Sequence, residues 1–463
     1  MKENHEGSDW DLRIAKLVSW LKSSEYFRVN DNVFLQDTPE SGRGLYLKAD
    51  TVSKNDVVVS IPSEYQLNFH SVVYHISKFN ADLYFERVTC SDNDRVEDGG
   101  DPRSKLYKIL TTNVVSKLSS FQLLCLYIMF EWKLLPFLNG PVSFWKPFFD
   151  VFPAASELKS IPSSWVLLPE SCNKALFESL PAASMIHAQR IADQVLTDWR
   201  TVSPVLQMWS NAIEERIRPT VNELFQHFVH TYFVINSRCL YIDVPLKKSI
   251  ADNFTMVPFV DFLNHSSDSE LYCTPRIEVL KRGVCGLGTF NIVGGNYKYS
   301  TVGEQILLNY GAHSNDFLLC EYGFTLKDNK WNYIDVSPEV ERLIEEETTK
   351  RFLQENGFWG DYTISESDIS FRTLVALAAA SSSNVRKVEK FMLGYLTEDS
   401  FYPHLQTLLQ EFLHSLLEGI AVKTRQLETP EFCDQECVNN ILQIYNGYTN
   451  IIKNHLKDSV LAH

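Results

Sequence analysis

The sequence predicts an α+β protein: a small β-rich core split by a long helical insertion and followed by an all-helical C-terminal third. Three observations predict it. Residues 30–70 and 236–335 carry β-branched runs punctuated by turn signals. The stretch between them, 71–235, carries helix caps and helical apolar spacing. From about residue 336 the apolar period is helical to the end. At 463 residues the chain exceeds one ordinary core and is expected to form two to four packed units. The divisions read from these shifts are 1–70, 71–235, 236–335 and 336–463.

In the first segment, Val57-Val58-Val59-Ser60-Ile61 stopped by Pro62 reads as a buried strand. Ser41-Gly42-Arg43-Gly44 before it is a turn signal, its glycines permitting tight backbone geometry. In the second, Ser119 and Ser120 can cap a helix from Phe121 to about Leu134. The polar stretch Cys90 to Lys105 reads as a mobile surface loop. The aromatic run Ser143 to Phe149, with Pro153, Pro162 and Trp165 after it, is expected to wrap over a helical core. In the third, Gln305 to Tyr310 is the clearest strand, entered through Gly303-Glu304 and left through Gly311. In the last, Leu405, Leu408, Leu409, Phe412, Leu416 and Ile420 form one helical stripe. Val438, Ile441, Leu442, Tyr445, Tyr448 and Ile452 form another, and both are assigned to packing.

Apolar residues make up 44% and charged residues 22%, as in a soluble globular protein. The formal net charge of −15 argues against direct nucleic-acid binding, which draws its affinity from a basic face, and suits a basic protein partner. The N-terminus has no apolar secretory core, and the longest apolar run, Leu123 to Phe130, is far short of the ~20 residues of a membrane span. Nine scattered cysteines and no signal point to reduced thiols in the cytoplasm or nucleus. Cys433 and Cys437 could supply half a zinc site, but no second pair completes it, so no metal is expected.

Three separated segments carry chemistry. Ser41-Gly42-Arg43-Gly44-Leu45-Tyr46 lacks the third glycine of a dinucleotide fingerprint, so a Rossmann reading fails. Asp261-Phe262-Leu263-Asn264-His265-Ser266 contains a formal glycosylation sequon, which has little weight without a secretory signal. Gly303-Glu304-Gln305-Ile306-Leu307-Leu308-Asn309-Tyr310-Gly311 is followed by Ser314-Asn315 and by Glu321-Tyr322-Gly323-Phe324. Taken singly, each is an ordinary turn, a buried polar pair or a core strand.

Together and in this order they resemble the SET-domain methyltransferases, in the branch of the Rubisco large-subunit methyltransferase and the fungal ribosomal-protein lysine methyltransferases. Trp145-Lys146-Pro147 and Pro162-x-x-Trp165 look like that family's insertion, and the helical C-terminal third looks like its substrate-binding domain. The resemblance implies a mostly antiparallel β core in which the Asn264-His265 segment lies beside the strand ending at Tyr310. It implies S-adenosyl-L-methionine as cofactor and a protein lysine as acceptor. Residue by residue, it assigns backbone contacts to the cofactor's methionine part to Ser41, Gly42, Arg43 and Gly44, and the cofactor carboxylate to Arg238. Asn264 and His265 would hold the amino group and adenine, and Phe324 would stack on adenine. Tyr310 would be the catalytic tyrosine, Tyr322 would line the lysine channel, and Asp261 would sit near the substrate.

One departure concerns specificity: where some relatives carry a second arginine four residues after the first, this chain has Ile242. The cysteine-rich zinc segment of many histone-directed SET domains is absent after Phe324. The resemblance implies a non-histone protein as substrate, a basic ribosomal protein first and an elongation factor second. The chain is expected to act as a cytoplasmic, also nuclear, monomer. A histidine acceptor, or a binding module that has lost turnover, are the competing readings. Retention of Tyr322, of Tyr310 and of Asn264-His265 weighs against both.

Overall fold

The structure, a computed structural model, describes residues 9–38, 42–96, 99–168, 174–242, 253–278, 288–382, 384–428 and 434–461. The chain forms two compact units, one of Met1–Leu158 with Asp193–Gly311, the other of Lys159–Ala192 with Ala312–His463.

The first unit contains the strands β1 (Arg28–Val29), β2 (Val33–Thr38), β3 (Gly42–Leu47), β4 (Val57–Ile61), β5 (Leu67–Asn68), β6 (Cys239–Tyr241), β7 (Phe254–Met256), β8 (Asn264–His265), β9 (Tyr272–Glu278), β10 (Thr289–Val293) and β11 (Gln305–Leu308). Hydrogen bonding orders the main sheet β1-β4-β10-β9-β11-β3-β2, with β8 added alongside β11. Most of its pairs are antiparallel, whereas β8 and β9 run parallel to β11. A smaller sheet is ordered β5-β7-β6. The β-branched run Val57–Ile61 is a strand, and Val58 to Ile61 are buried. Its neighbour β10 is buried along its whole length, and its buried Asn291 accepts a hydrogen bond from Ser60 Oγ of β4.

Ser119 closes a capping box on a helix of Ser120–Ile128, and the backbone then widens into a π-helix, Met129–Leu134. The helical part of this unit packs around Tyr107, Tyr127, Phe130 and Trp209, all fully buried. The polar stretch expected to be a surface loop is partly structured. Asp92–Asp94 is a 3-10 turn, and Pro102–Leu106 is a helix capped by Asp101. Its Arg103 is buried because it bonds Glu131 through Nε at 2.8 Å and Nη2 at 3.0 Å. A helix over Asp9–Leu21, unanticipated in the sequence, buries Leu17 and Leu21.

In the second unit a two-stranded antiparallel sheet, Tyr333–Asp335 with Thr363–Ser365, is surrounded by helices that include Phe371–Ser381, His404–Leu427 and Gln435–Leu461. Both predicted stripes belong to its core. Leu405 and Phe412 are buried with Leu408, Leu409, Leu416 and Ile420 packed against them, and Val438, Ile441, Tyr445, Tyr448 and Ile452 are buried on the last helix. The 236–335 segment is less purely β than predicted, since it begins in a helix ending at Arg238 and includes the helix Asn315–Tyr322. Among the described residues no helix is long and apolar enough to cross a membrane.

Candidate functional site

The first unit gathers most of the predicted site residues around β3, β8 and the end of β11. Gly42 opens β3 at φ 61°, a left-handed conformation that favours glycine. Gly44 is buried, and a side chain there would run into Gln305 of β11 and the Tyr46 ring. Ser41 lies outside the described residues. The turn is tied to β8 by Asn264, whose Nδ2 donates to the Arg43 carbonyl at 3.1 Å.

β8 pairs in parallel with β11, Asn264 opposite Leu307 and His265 opposite Leu308. This register carries the chain directly to Tyr310, whose N–H donates to His265 Nδ1 at 3.1 Å. The two rings stack with centroids 5.1 Å apart. The Tyr310 hydroxyl donates to the Leu263 carbonyl at 2.7 Å. Burial pushes this phenol up to about 12, Arg238 opposing and Asp261 adding to the rise, so it holds its proton at neutral pH. Asn309, the residue between strand and tyrosine, donates to Ser266 O at 3.2 Å and closes the loop from the other side.

Arg238 ends the helix Val221–Arg238, which Thr220 and Glu223 start with a capping box. Its Nη1 donates to the Asp261 carbonyl at 3.0 Å and to Asp261 Oδ2 at 3.1 Å. The Asp261 side chain is 1% exposed. Burial raises its carboxyl above the usual range, and Arg238 and Arg43 pull against that rise. Asp261 stands in the 3-10 turn Val260–Phe262, entered through Phe259 at φ 72°, an unusual conformation for an aromatic residue. Two atoms of this ion pair, Arg238 Nε and Asp261 Oδ1, are buried without a hydrogen-bond partner among the described residues.

Arg43 directs its side chain away from the turn. Nη1 donates to Val151 O at 3.2 Å, Nη2 to Glu157 Oε2 at 3.1 Å, and the guanidinium lies 4.3 Å over the Trp10 ring. Sequence reasoning missed Trp10, Val151 and Glu157. Nothing local signals them, because the two polar partners lie 108 and 114 residues away.

In the second unit, Tyr322 ends the helix Asn315–Tyr322, which Ser314 caps and Gly323 terminates at φ 83°. The half-buried Tyr322 and Phe324 rings tilt toward each other with centroids 6.1 Å apart. Glu321 is held by His187 Nε2 at 2.7 Å.

The fold is that of SET-domain proteins. A crystal structure of the SET domain of LSMT bound to lysine and AdoHcy superposes with a TM-score of 0.56 at 15% identity, covering 96% of this chain and 90% of that one. A structure of Rubisco LSMT bound to AdoMet gives 0.55 at 16% identity, covering 95% and 90%. A family profile described as the ribosomal lysine N-methyltransferase 2 C-terminal domain matches residues 332–458. In sequence, the chain is 42% identical over 478 residues to ribosomal lysine N-methyltransferase 2 of Saccharomyces cerevisiae, covering 96% of this chain and 99% of the relative. It is 19% identical to human SET domain-containing protein 4, covering 98% and 91%. The chain belongs to the ribosomal lysine N-methyltransferase family of SET-domain enzymes.

Proposed function

We propose that this enzyme transfers a methyl group from S-adenosylmethionine to a lysine side chain of a basic ribosomal protein, with an elongation factor as the second choice of substrate. The observation that carries the reading is the incomplete polar shell beside the glycine turn. Arg238 Nε is an unspent donor suited to a carboxylate, and Asp261 Oδ1 an unspent acceptor suited to an ammonium. Both groups occur on the methionine part of the cofactor, and Gly42 leaves its side-chain position open. The residues present therefore fit the cofactor. When bound, it supplies the methyl group on a sulfonium.

Arg238, Asn264 and His265 would hold the cofactor together with the backbone of residues 41–44, and Phe324 would stack on its adenine. Tyr310 is proposed as the catalytic residue, offering a neutral hydroxyl oxygen whose proton is committed to Leu263 O. A neutral dipole favours the moving charge without binding the ground state as a phenolate would. The acceptor must arrive deprotonated, although a free lysine has a pKa of ~10.4. Desolvation beside aromatic rings lowers it, and Tyr322 would orient the amine. Asp261 would sit near the substrate, its Oδ2 held by Arg238 and its Oδ1 left to accept. Residues 1–70 and 236–335 are proposed as the two parts of the SET domain, 71–235 as its insertion and 336–463 as the substrate-binding domain. The net charge of −15 supports a basic protein substrate over nucleic acid. The enzyme is proposed to act as a monomer in the cytoplasm, with access to the nucleus.

The test is to incubate the wild type and Tyr310→Phe with methyl-labelled S-adenosylmethionine and an extract of cells lacking the enzyme. A wild-type band labelled on lysine, weakened about 100-fold or more in the variant, is expected. A band labelled on histidine, or equal labelling by both proteins, would refute the assignment.

A further inference from the structure

The glycine turn is braced from behind by a short relay. Arg43 grips two points of the segment 151–157, the Val151 carbonyl and the Glu157 carboxylate. Glu157 Oε2 also accepts the Ala154 N–H at 2.7 Å, which makes the segment a closed clamp. Between those points, Pro153 presents its carbonyl to His230 Nε2 at 2.8 Å. A carbonyl only accepts, so Nε2 must carry the proton. The other ring nitrogen, Nδ1, lies 3.4 Å from Lys133 Nζ, an ammonium that only donates. Both neighbours therefore select the same neutral tautomer. Burial first and Lys133 second push the imidazole down to about 4, so it stays neutral at physiological pH. Lys133 is itself held 3.3 Å over the Trp132 ring, whose edge meets Phe152 at 5.2 Å.

We propose that His230, with its tautomer set by the Pro153 carbonyl and Lys133, is a positioning residue that holds the 151–157 clamp against Arg43 and thereby fixes the Gly42–Gly44 backbone for S-adenosylmethionine. This rests on the reading that the turn touches the cofactor. The competing view is a core histidine satisfied by a nearby carbonyl, which would stabilise the fold without reaching Arg43.

A double-mutant cycle separates the two, with the dissociation constant of S-adenosylhomocysteine measured by calorimetry. His230→Phe and Arg43→Ala are each expected to weaken binding about fivefold to tenfold, the size of one lost hydrogen bond. In the Arg43→Ala background, His230→Phe should add less than twofold. His230→Gln, whose amide N–H reaches the position of Nε2, should restore affinity and keeps the test open if the phenylalanine variant folds poorly. Nitrogen-15 shifts of the wild-type ring should report a protonated Nε2 and a bare Nδ1. Equal losses from His230→Phe in both backgrounds would overturn the relay. So would a protonated Nδ1, or an Arg43→Ala variant that binds as the wild type does. Because the readout is binding, the cycle distinguishes a positioning histidine from a core one even where the lysine-methylation reading fails.

Discussion

Arg238→Met would strip the cation from a carboxylate that has almost no water. Asp261 is 1% exposed and Arg238 17%, and the pair is joined at 3.1 Å with a second bond to the Asp261 carbonyl. Removing one partner of a buried pair costs about 3–5 kcal/mol. Arg43 still faces Asp261 and offsets part of the loss, so the expected value is at the lower end, about 3 kcal/mol at pH 7.5. Replacing both partners, Arg238→Met with Asp261→Leu, buries no charge and should fall within about 1 kcal/mol of the wild type. The sign of the pH dependence follows from the raised Asp261 carboxyl. Its contribution is complete below the free value of 3.8 and is lost as pH rises through the folded value. Without Arg238 the folded value climbs further, so the variant's deficit widens toward neutral pH and shrinks on acidification. Urea denaturation followed by tryptophan fluorescence at pH 7.5 and 5.0 measures both effects. A deficit equal at the two pH values, or a double variant no more stable than Arg238→Met, would refute the reasoning.

Glu131→Gln should destabilise the insertion by about 2–4 kcal/mol, read as a fall in melting temperature, because it leaves Arg103 buried with Asp101 as its remaining carboxylate. Burial works to raise the Glu131 carboxyl, but the Arg103 bonds outweigh it and hold it below the usual range. Its stabilisation is thus present above the unfolded value of 4.5 and is lost as pH falls through the folded one, so the gap between variant and wild type should close in acid. Gly42→Ala meets no atom of the described residues within 4 Å yet must keep φ 61°, so its cost is backbone strain of about 1–2 kcal/mol. An unchanged melting temperature in that variant would contradict the left-handed turn.

Much of the grouping of the candidate site residues was legible because they sit in short, ordered motifs whose spacing survives folding. Asn264-His265 and Tyr310 could be paired from the family pattern, and the parallel register of β8 and β11 joins them. The helical stripes of the last third were legible because a 3.6-residue period is a local property. What escaped had long-range causes. Arg103 looked like one more charge in a polar stretch until Glu131, 28 residues away, accounted for its burial. The strand through Tyr310 ends at Leu308, because Asn309 and Tyr310 turn aside to bond Ser266 and His265. The two-residue strand β8 has too few side chains for any alternation to register.

The pairing of β3 with β11 sets Tyr46 opposite Gln305. During synthesis at about 5–20 residues per second, the N-terminal strand therefore waits roughly 10–50 s for its partner to be made. Through that interval one edge of β3 has hydrogen-bonding groups with nowhere to go, an invitation to mispairing that β2 can answer only on the opposite side. The proposed methyl-transfer centre is thus among the last parts of the first unit to be completed on the ribosome, and a nascent chain interrupted before Gln305 would carry the Gly42–Gly44 turn without the strand that pairs with it.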